Sequence, residues 1–224
     1  MDGLFVLTAQ KSKEMVAEAL AKKIHSLSNR IFITYGSTNE YLLRSLGYNI
    51  ENYYRGYVGG NALRSNMPEH KPVIINDHDG ELTANDIIIK GANALAYKED
   101  GGYDAAVAVA SPSGGTYRDL IVQGMCVGAE ILVPITHEKL VPRIYSGIYS
   151  QSSFDIVMGR SISLFKLDSG KIFTEIEAFK ELFELDAKLY IAGGIEDCVG
   201  SHTFIASGSE ENLSQAYEYL NRGT

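Results

Sequence analysis

The spacing of apolar and polar residues predicts three regular elements within the first 50 residues. Apolar side chains recur at helical spacing over residues 9–28 and predict an amphipathic helix. A short apolar run rich in β-formers follows at residues 31–35 and predicts a buried strand. Residues 39–46 then predict a second helix, which Gly47 ends.

Short apolar runs separated by polar and glycine-bearing segments continue through the middle of the chain. They predict strands at residues 72–75, 86–90, 105–110 and 130–134. A helix is expected at residues 117–127, between the last two of these strands. Strands that alternate with helices are typical of an α/β layer. We therefore expect residues 1–150 to form a Rossmann-like α/β domain, with a mostly parallel sheet and helices on both faces.

The pattern changes after about residue 150. A strand, a helix, two strands and a final helix are predicted at residues 162–167, 175–185, 189–192, 202–206 and 209–220. The order β-α-β-β-α is that of a ferredoxin-like unit less one strand. Residues 151–224 are accordingly expected to form a small ferredoxin-like α+β part.

Charge and cysteine content narrow the class of protein. The 224 residues carry 20 Lys and Arg against 28 Asp and Glu, a formal net charge of −8. An acidic surface without a basic tract argues against nucleic acid as a partner. No apolar stretch approaches the ~18 residues of a membrane span, and the N-terminus does not resemble an export signal, so we expect no membrane partner and a cytoplasmic location. Cys126 and Cys198 form no disulfide framework, and Cys126 is expected to be a small buried hydrophobe.

Three glycine-bearing turns are the candidate ligand-binding segments. The first is Gly36-Ser37-Thr38, between a predicted strand and a helix, where free backbone N–H groups favour an anion. The second is residues 111–116, whose candidate ligands are Ser113, Gly114, Gly115 and Thr116. The third follows the strand at residues 86–90 and carries Lys90 and Asn93. In open α/β sheets such turns share a crevice beyond the carboxyl ends of the strands.

Each turn also has a purely structural interpretation: helix capping, an ordinary β–α loop, and a solvated lysine at a strand end. Neither GxGxxG nor GxxxxGK is present, so the sequence predicts no cofactor. A metal at Asp77, His78 and Asp79 is not predicted either, because neighbouring side chains diverge on an extended segment. The 14 tyrosines, with 53, 54 and 57 clustered, are compatible with a homodimer interface or with plain packing.

The opening helix, the strand, the Gly36-Ser37-Thr38 turn and the next helix together resemble a known superfamily. It contains type A ribose-5-phosphate isomerase, glucosamine-6-phosphate isomerase and the coenzyme A transferases. Residues 77–81 and 90–95 are similar to the acidic segment and the Lys-Gly-Gly stretch of the isomerase. The resemblance implies that Ser37 and Thr38 hold a sugar phosphate. It also implies that Glu99 acts as general base, while Lys90 and Asp77 stabilise the enediolate and assist ring opening.

Two departures from the isomerase pattern keep other functions open. Gly80 stands where the acidic segment carries an aspartate, and the Lys-Gly-Gly run is Lys-Gly-Ala-Asn in this chain. Glu99 also lies in a hydrophilic stretch that reads as a surface turn. The sequence therefore predicts a small-molecule-binding protein or an enzyme that acts on a small anionic metabolite, and a phosphorylated metabolite is favoured. A relative of the sugar-phosphate isomerases is one such enzyme. The alternatives are a non-catalytic ligand-binding or regulatory protein and a coenzyme A-linked enzyme.

Overall fold

The computed structural model describes residues 1–66, 71–145 and 153–222. In these ranges the strands are β1 Asp2–Leu7, β2 Ile31–Ile33, β3 Gly56–Gly59, β4 Ala62–Ser65, β5 Val73–Ile75, β6 Ile87–Ile89, β7 Ala94–Tyr97, β8 Tyr103–Val109, β9 Glu130–Pro134, β10 Ser163–Lys166, β11 Lys171–Phe173, β12 Asp186–Gly193 and β13 Ser201–Ser207. The α-helices are α1 Ala9–His25, α2 Ser37–Ser45, α3 Gln123–Val127, α4 Glu175–Phe183 and α5 Glu210–Leu220. A π-helical segment, Tyr117–Val122, leads directly into α3. None of the described helices is long and apolar enough to cross a membrane.

Four sheets organise the described strands. The central sheet has the order β11-β9-β6-β2-β5, with three parallel pairings and one antiparallel pairing at β5. Two three-stranded sheets, β1-β13-β12 and β10-β8-β7, are antiparallel throughout, and β3 and β4 form a hairpin. The expected Rossmann-like sheet with helices on both faces, followed by a ferredoxin-like part, is therefore wrong.

The hairpin of β7 and β8 explains one part of this error. The sequence predicts the run at residues 105–110 as a strand of the parallel layer, but β8 pairs antiparallel with β7 and with β10. Lys98 N–H donates to the Gly102 carbonyl oxygen (2.8 Å) and closes a short turn between β7 and β8. A turn of this length can join only antiparallel neighbours, because a parallel pair needs a crossover of a dozen or more residues.

The C-terminal strands explain the other part. Instead of forming one ferredoxin-like sheet, β10 pairs with β8, β11 pairs with β9, and β12 and β13 form a sheet with β1. Both β10 and β11 lie beyond residue 150, the predicted domain boundary, and pair with strands that precede it. Strands are present near residues 162–167, 189–192 and 202–206 as predicted, but they pair in other sheets, and the sequence analysis predicts neither β1 nor β11.

The central sheet separates two apolar clusters. Ile87 and Ile89 point into a cluster with α1, α2 and α4, whereas Ile88 points into a cluster with β8 and the segment before α3. Successive side chains of a strand face opposite sides, so three consecutive isoleucines serve both clusters.

The cysteines take no part in either cluster. Both are free and exposed, so the expectation that Cys126 is buried is wrong. Polar turns follow the carboxyl ends of β2, β6 and β9.

Candidate functional site

A cavity of about 920 Å³ opens at the carboxyl ends of β2, β6, β8 and β9. Its lining includes residues of all three glycine-bearing turns. The turns after β2 and β6 abut, since a Cβ placed on Gly36 would lie 3.6 Å from the Gly91 Cα atom. We call this cavity the crevice. Its volume lies within the range of ~300–1,000 Å³ that small-molecule sites occupy.

The start of α2 forms one end of the crevice. Gly36 precedes the helix, and its N–H donates to the Tyr53 carbonyl oxygen (2.7 Å). The N–H groups in the first turn of a helix lack intrahelical partners and favour an anion. Thr38 lines the crevice and is only 1% exposed, yet its hydroxyl has no hydrogen-bond partner in the described ranges. A buried hydroxyl is normally bonded, so this one indicates a missing polar partner.

Hydrogen bonds to a single carbonyl join this helix start to the end of β6. The Ile89 carbonyl oxygen accepts from Thr34 N–H (3.0 Å), from the Thr34 hydroxyl (3.1 Å) and from Asn39 Nδ2 (3.3 Å). Asn39 Nδ2 also donates to the Thr34 carbonyl oxygen (2.8 Å). Thr34 and Asn39 are fully buried. The first turn of α2 and the residue after Ile89 are therefore held at a fixed separation.

That next residue is Lys90, whose side chain enters the crevice. Its N–H donates to the Leu132 carbonyl oxygen (2.9 Å), which continues the pairing of β6 with β9. The side chain is 7% exposed, and no hydrogen bond or ion pair joins its ammonium group to another described residue. Burial, with the nearby positive charges of Lys139 and Arg55, lowers the pKa of Lys90 to about 8. The protein thus holds a poorly compensated cation in the same crevice as the first turn of α2, whose N–H groups favour an anion.

Lys139 is a second cation of the crevice, half-buried in the segment after β9. Its Nζ donates to the Ala92 carbonyl oxygen (2.9 Å), and burial lowers its pKa to about 8. Glu175 holds the turn that carries Lys139. Its two carboxylate oxygens accept from His137 N–H (3.1 and 3.2 Å), and Oε2 lies 2.6 Å from His137 Nδ1. Both of these side chains are completely buried. Glu175 therefore fixes the backbone that presents Lys139.

Arg55 is a third cation that lines the crevice. It follows Tyr53, which is fully buried and donates its hydroxyl to the Ile33 carbonyl oxygen (2.7 Å) and its N–H to Glu40 Oε2 (2.8 Å). The Arg55 guanidinium lies 5.0 Å from the centre of the Tyr35 ring. Its Nη1 would be 3.8 Å from a Cβ on Gly115, so Arg55 also borders the second turn.

The charges that line the crevice are mostly positive, although the whole chain is acidic. Among the described lining residues, five are basic (Lys13, Arg55, Lys90, Lys139 and Arg160) and one, Glu138, is acidic. Glu138 pairs with Lys13 at 2.9 Å. Low-dielectric walls concentrate such a field inside a cleft. The crevice is therefore suited to a ligand with more than one negative charge.

The second turn, at residues 111–116, forms the outer wall. Gly114 (φ +84°) and Gly115 (φ +50°) adopt left-handed conformations that favour glycine, and both line the crevice with Thr116. Ser113 does not line the crevice, but its hydroxyl lies 2.9 Å from that of Ser111, which does. The turn thus presents backbone and hydroxyl groups rather than charge.

Comparison of the chain with protein-family models, with curated proteins and with solved structures finds no match. The superfamily resemblance and the activities that it implies accordingly stay predictions. The geometry of the crevice therefore carries the functional argument.

The structure brings most of the predicted site residues together. Gly36, Ser37, Thr38, Lys90, Asn93, Gly114, Gly115 and Thr116 all line the crevice. The Asn93 side-chain oxygen accepts from Ala108 N–H (2.9 Å), which ties the turn after β6 to β8. The Asn93 amide NH₂ group and the second lone pair of its oxygen can still bond a ligand.

Glu99 and Asp77, the other two predicted catalytic residues, are not brought to the crevice. Glu99 lies exposed in the turn between β7 and β8. Asp77 is exposed and acts electrostatically on Arg30, which precedes β2 and therefore lies at the opposite edge of the central sheet from Lys90. Neither side chain is among the lining residues. The three residues to which the resemblance assigns isomerase chemistry do not share one site in this structure.

Sequence reasoning did not assign the other basic residues of the crevice. Lys139 lies in a short 3-10 turn, His137–Lys139, beyond the end of β9, and the position of this turn after a parallel strand is a signal that the sequence carries. Arg55 lies in a segment of tyrosines and glycines without periodicity, so no local pattern marks it. In the described ranges, no group of three or more His, Cys, Asp or Glu side chains is arranged to hold a metal ion.

Proposed function

We propose that this protein binds a small phosphorylated metabolite in the crevice, with the phosphate at the first turn of α2. The observation that carries the proposal is the buried, unpartnered Thr38 hydroxyl at this helix start. A phosphate oxygen would accept a hydrogen bond from that hydroxyl and from the backbone N–H groups beside it. The superfamily resemblance assigns the sugar phosphate to the same turn.

The cations of the crevice favour phosphate over a singly charged carboxylate. Lys90 and Lys139 have pKa values lowered by burial, so a bound dianion would stabilise their charged forms. Arg55 adds a guanidinium, whose fork of N–H groups suits phosphate oxygens. Isomerase chemistry is not part of this proposal, because Glu99 and Asp77 lie outside the crevice.

Thermal unfolding with glycerol 3-phosphate, and with glycerol as the uncharged control, tests the proposal. A ligand that binds only the folded state at about 100 times its Kd stabilises that state by about 2.7 kcal/mol. For a chain of this size that corresponds to a rise in Tm of roughly 5–10 °C. We expect the rise with glycerol 3-phosphate and not with glycerol.

Three variants locate the binding. Thr38→Val and Lys90→Met should each reduce the rise in Tm, whereas Lys188→Met, at an exposed lysine on β12, should leave it unchanged. A rise that survives both crevice substitutions would place the phosphate elsewhere. If neither glycerol 3-phosphate nor ribose 5-phosphate raises the Tm of the wild type, the proposed function is wrong.

A further inference from the structure

Lys90 combines three properties that a structural lysine does not need. Its side chain is 7% exposed, it lines a cavity large enough for a metabolite, and no described carboxylate pairs with it. A lysine retained for stability alone would have a counter-ion or would extend to the outer surface. A lysine that is largely buried and faces a ligand cavity is instead placed to react.

The other lysines of the crevice are occupied. Lys139 Nζ donates to the Ala92 carbonyl oxygen at 2.9 Å, and Lys13 Nζ pairs with Glu138 Oε1 at 2.9 Å. A hydrogen-bonded ammonium must give up its partner before its nitrogen lone pair can attack. Lys90 is therefore the lysine of the described lining whose amine is most available.

The charge state of Lys90 supports the same role. Its pKa is lowered from 10.5 to about 8, first by burial and then by the positive charges of Lys139 and Arg55. At pH 8 about half of its amines are neutral, against roughly 0.3% for a lysine with an ordinary pKa. Desolvated lysines beside other cations are the ones that form Schiff bases with carbonyl compounds.

We propose that the Lys90 amine forms an imine with the carbonyl carbon of a phosphorylated aldehyde or ketone whose phosphate lies at the first turn of α2. This inference rests on the proposed function and deepens it, because it names the reactive group of the ligand. The neutral nitrogen attacks the carbonyl carbon, a C–N bond forms, and the π bond of the carbonyl opens so that its electron pair passes to the oxygen, which takes up a proton from solvent. The C–O bond of the carbinolamine then breaks and the oxygen leaves as water. One of the two N–H protons leaves in that water, and the other passes to solvent. No oxidant or reductant takes part.

The fixed geometry around Ile89 makes the reaction specific. The carbonyl oxygen of Ile89, the residue before Lys90, accepts a hydrogen bond from Asn39 in the first turn of α2. A phosphate bound at this turn therefore holds the ligand's carbonyl group near one amine. Positioning of this kind raises the effective concentration of the reacting group. A phosphate-bearing aldehyde should therefore react at Lys90 much faster than the same aldehyde without phosphate.

Reductive trapping tests the inference. The full chain is incubated at pH 8 with glyceraldehyde 3-phosphate and sodium cyanoborohydride, which reduces an imine to a stable amine. Intact mass should increase by the mass of the aldehyde less one oxygen atom, and peptide mapping should place the adduct on Lys90. We expect labelling at Lys90 to be at least tenfold faster than at any other lysine. Glyceraldehyde should label Lys90 at least tenfold more slowly than its phosphate ester.

The controls separate this inference from the proposed function. Lys90→Met should lose the adduct, Lys188→Met should keep it, and glycerol 3-phosphate should block it by competition. Adducts spread over surface lysines, or placed on Lys139, while glycerol 3-phosphate still raises the Tm, would overturn the imine and leave the proposed binding intact. Equal labelling of Lys90 by both aldehydes would overturn the role of the phosphate. If Lys90→Met does not fold, the mapped position of the adduct in the wild type decides.

Discussion

Replacing Lys90 by methionine should stabilise the unliganded protein at neutral pH. The substitution removes a buried charge, and methionine fills a similar volume with a flexible apolar chain. Burial lowers the pKa of Lys90 from 10.5 to about 8. At about 1.4 kcal/mol for each tenfold change, the charged form is disfavoured by roughly 3 kcal/mol in the folded state. We therefore expect the free energy of unfolding at pH 7 to increase by up to that amount.

The pH dependence identifies the cause. Between about pH 8 and pH 10.5 the unfolded wild type binds more protons at this lysine than the folded state does, so wild-type stability rises with pH. The advantage of Lys90→Met should therefore be complete below pH 8 and shrink as the pH approaches 10.5. Lys139 and Arg55, whose positive charges help to lower this pKa, stay in place in both proteins.

Urea unfolding measures the difference, with Lys188→Met as the matched control at an exposed lysine. The control should change the free energy of unfolding by no more than ~0.5 kcal/mol. A destabilised Lys90→Met at pH 7 would refute the reasoning, as would an advantage that is the same at pH 7 and pH 10.5. Either result would mean that the charged ammonium group of Lys90 does not lower the free energy of unfolding.

Three other substitutions and one titration extend these tests. Thr38→Val should alter the free energy of unfolding by less than ~1 kcal/mol, because the lost hydroxyl has no partner, and thermal unfolding should show a smaller rise in Tm with glycerol 3-phosphate. Glu99→Gln should leave that rise unchanged, and a loss would return Glu99 to the site. Asp86→Asn leaves Arg30 buried without its carboxylate and should destabilise the fold by about 3–5 kcal/mol in urea unfolding. Affinity for glycerol 3-phosphate, measured by calorimetry, should fall as NaCl is added.

The candidate site could be predicted further than the fold, because its signals are local. A glycine with hydroxyl residues directly after an apolar strand indicates a polar turn at a strand end, and the turns at Gly36 and Gly114 both line the crevice. Lys90 was found for the same reason, since it follows three isoleucines. These predictions needed only the order of residues along the chain.

The pairing of strands could not be predicted in this way. Short apolar runs such as residues 105–110 suit parallel and antiparallel neighbours equally, and only the closed turn at Lys98 and Gly102 decides between them. β11 joins the central sheet through contacts with β9, which is more than 30 residues away in sequence. No local pattern encodes such a partner.

The catalytic roles that the resemblance implies depend on the pairing of strands, which the sequence does not show. Asp77 and Glu99 stand at suitable distances from Lys90 along the sequence. In the structure Asp77 acts on Arg30 at the other edge of the sheet, and Glu99 lies on an exposed turn. Arg55, in contrast, lines the crevice although the sequence did not predict it. Its position depends on the packing of Tyr53, which no local pattern shows.

The hydrogen bonds that converge on the Ile89 carbonyl oxygen set the span between the helix start and the lysine before any metabolite arrives. A compound with too few bonds between its phosphorus atom and its carbonyl carbon cannot reach both ends. One with too many must coil back and lose conformational entropy on entering. Under the proposed binding and imine formation, chain length is therefore a property by which this protein should discriminate among phosphorylated carbonyl compounds.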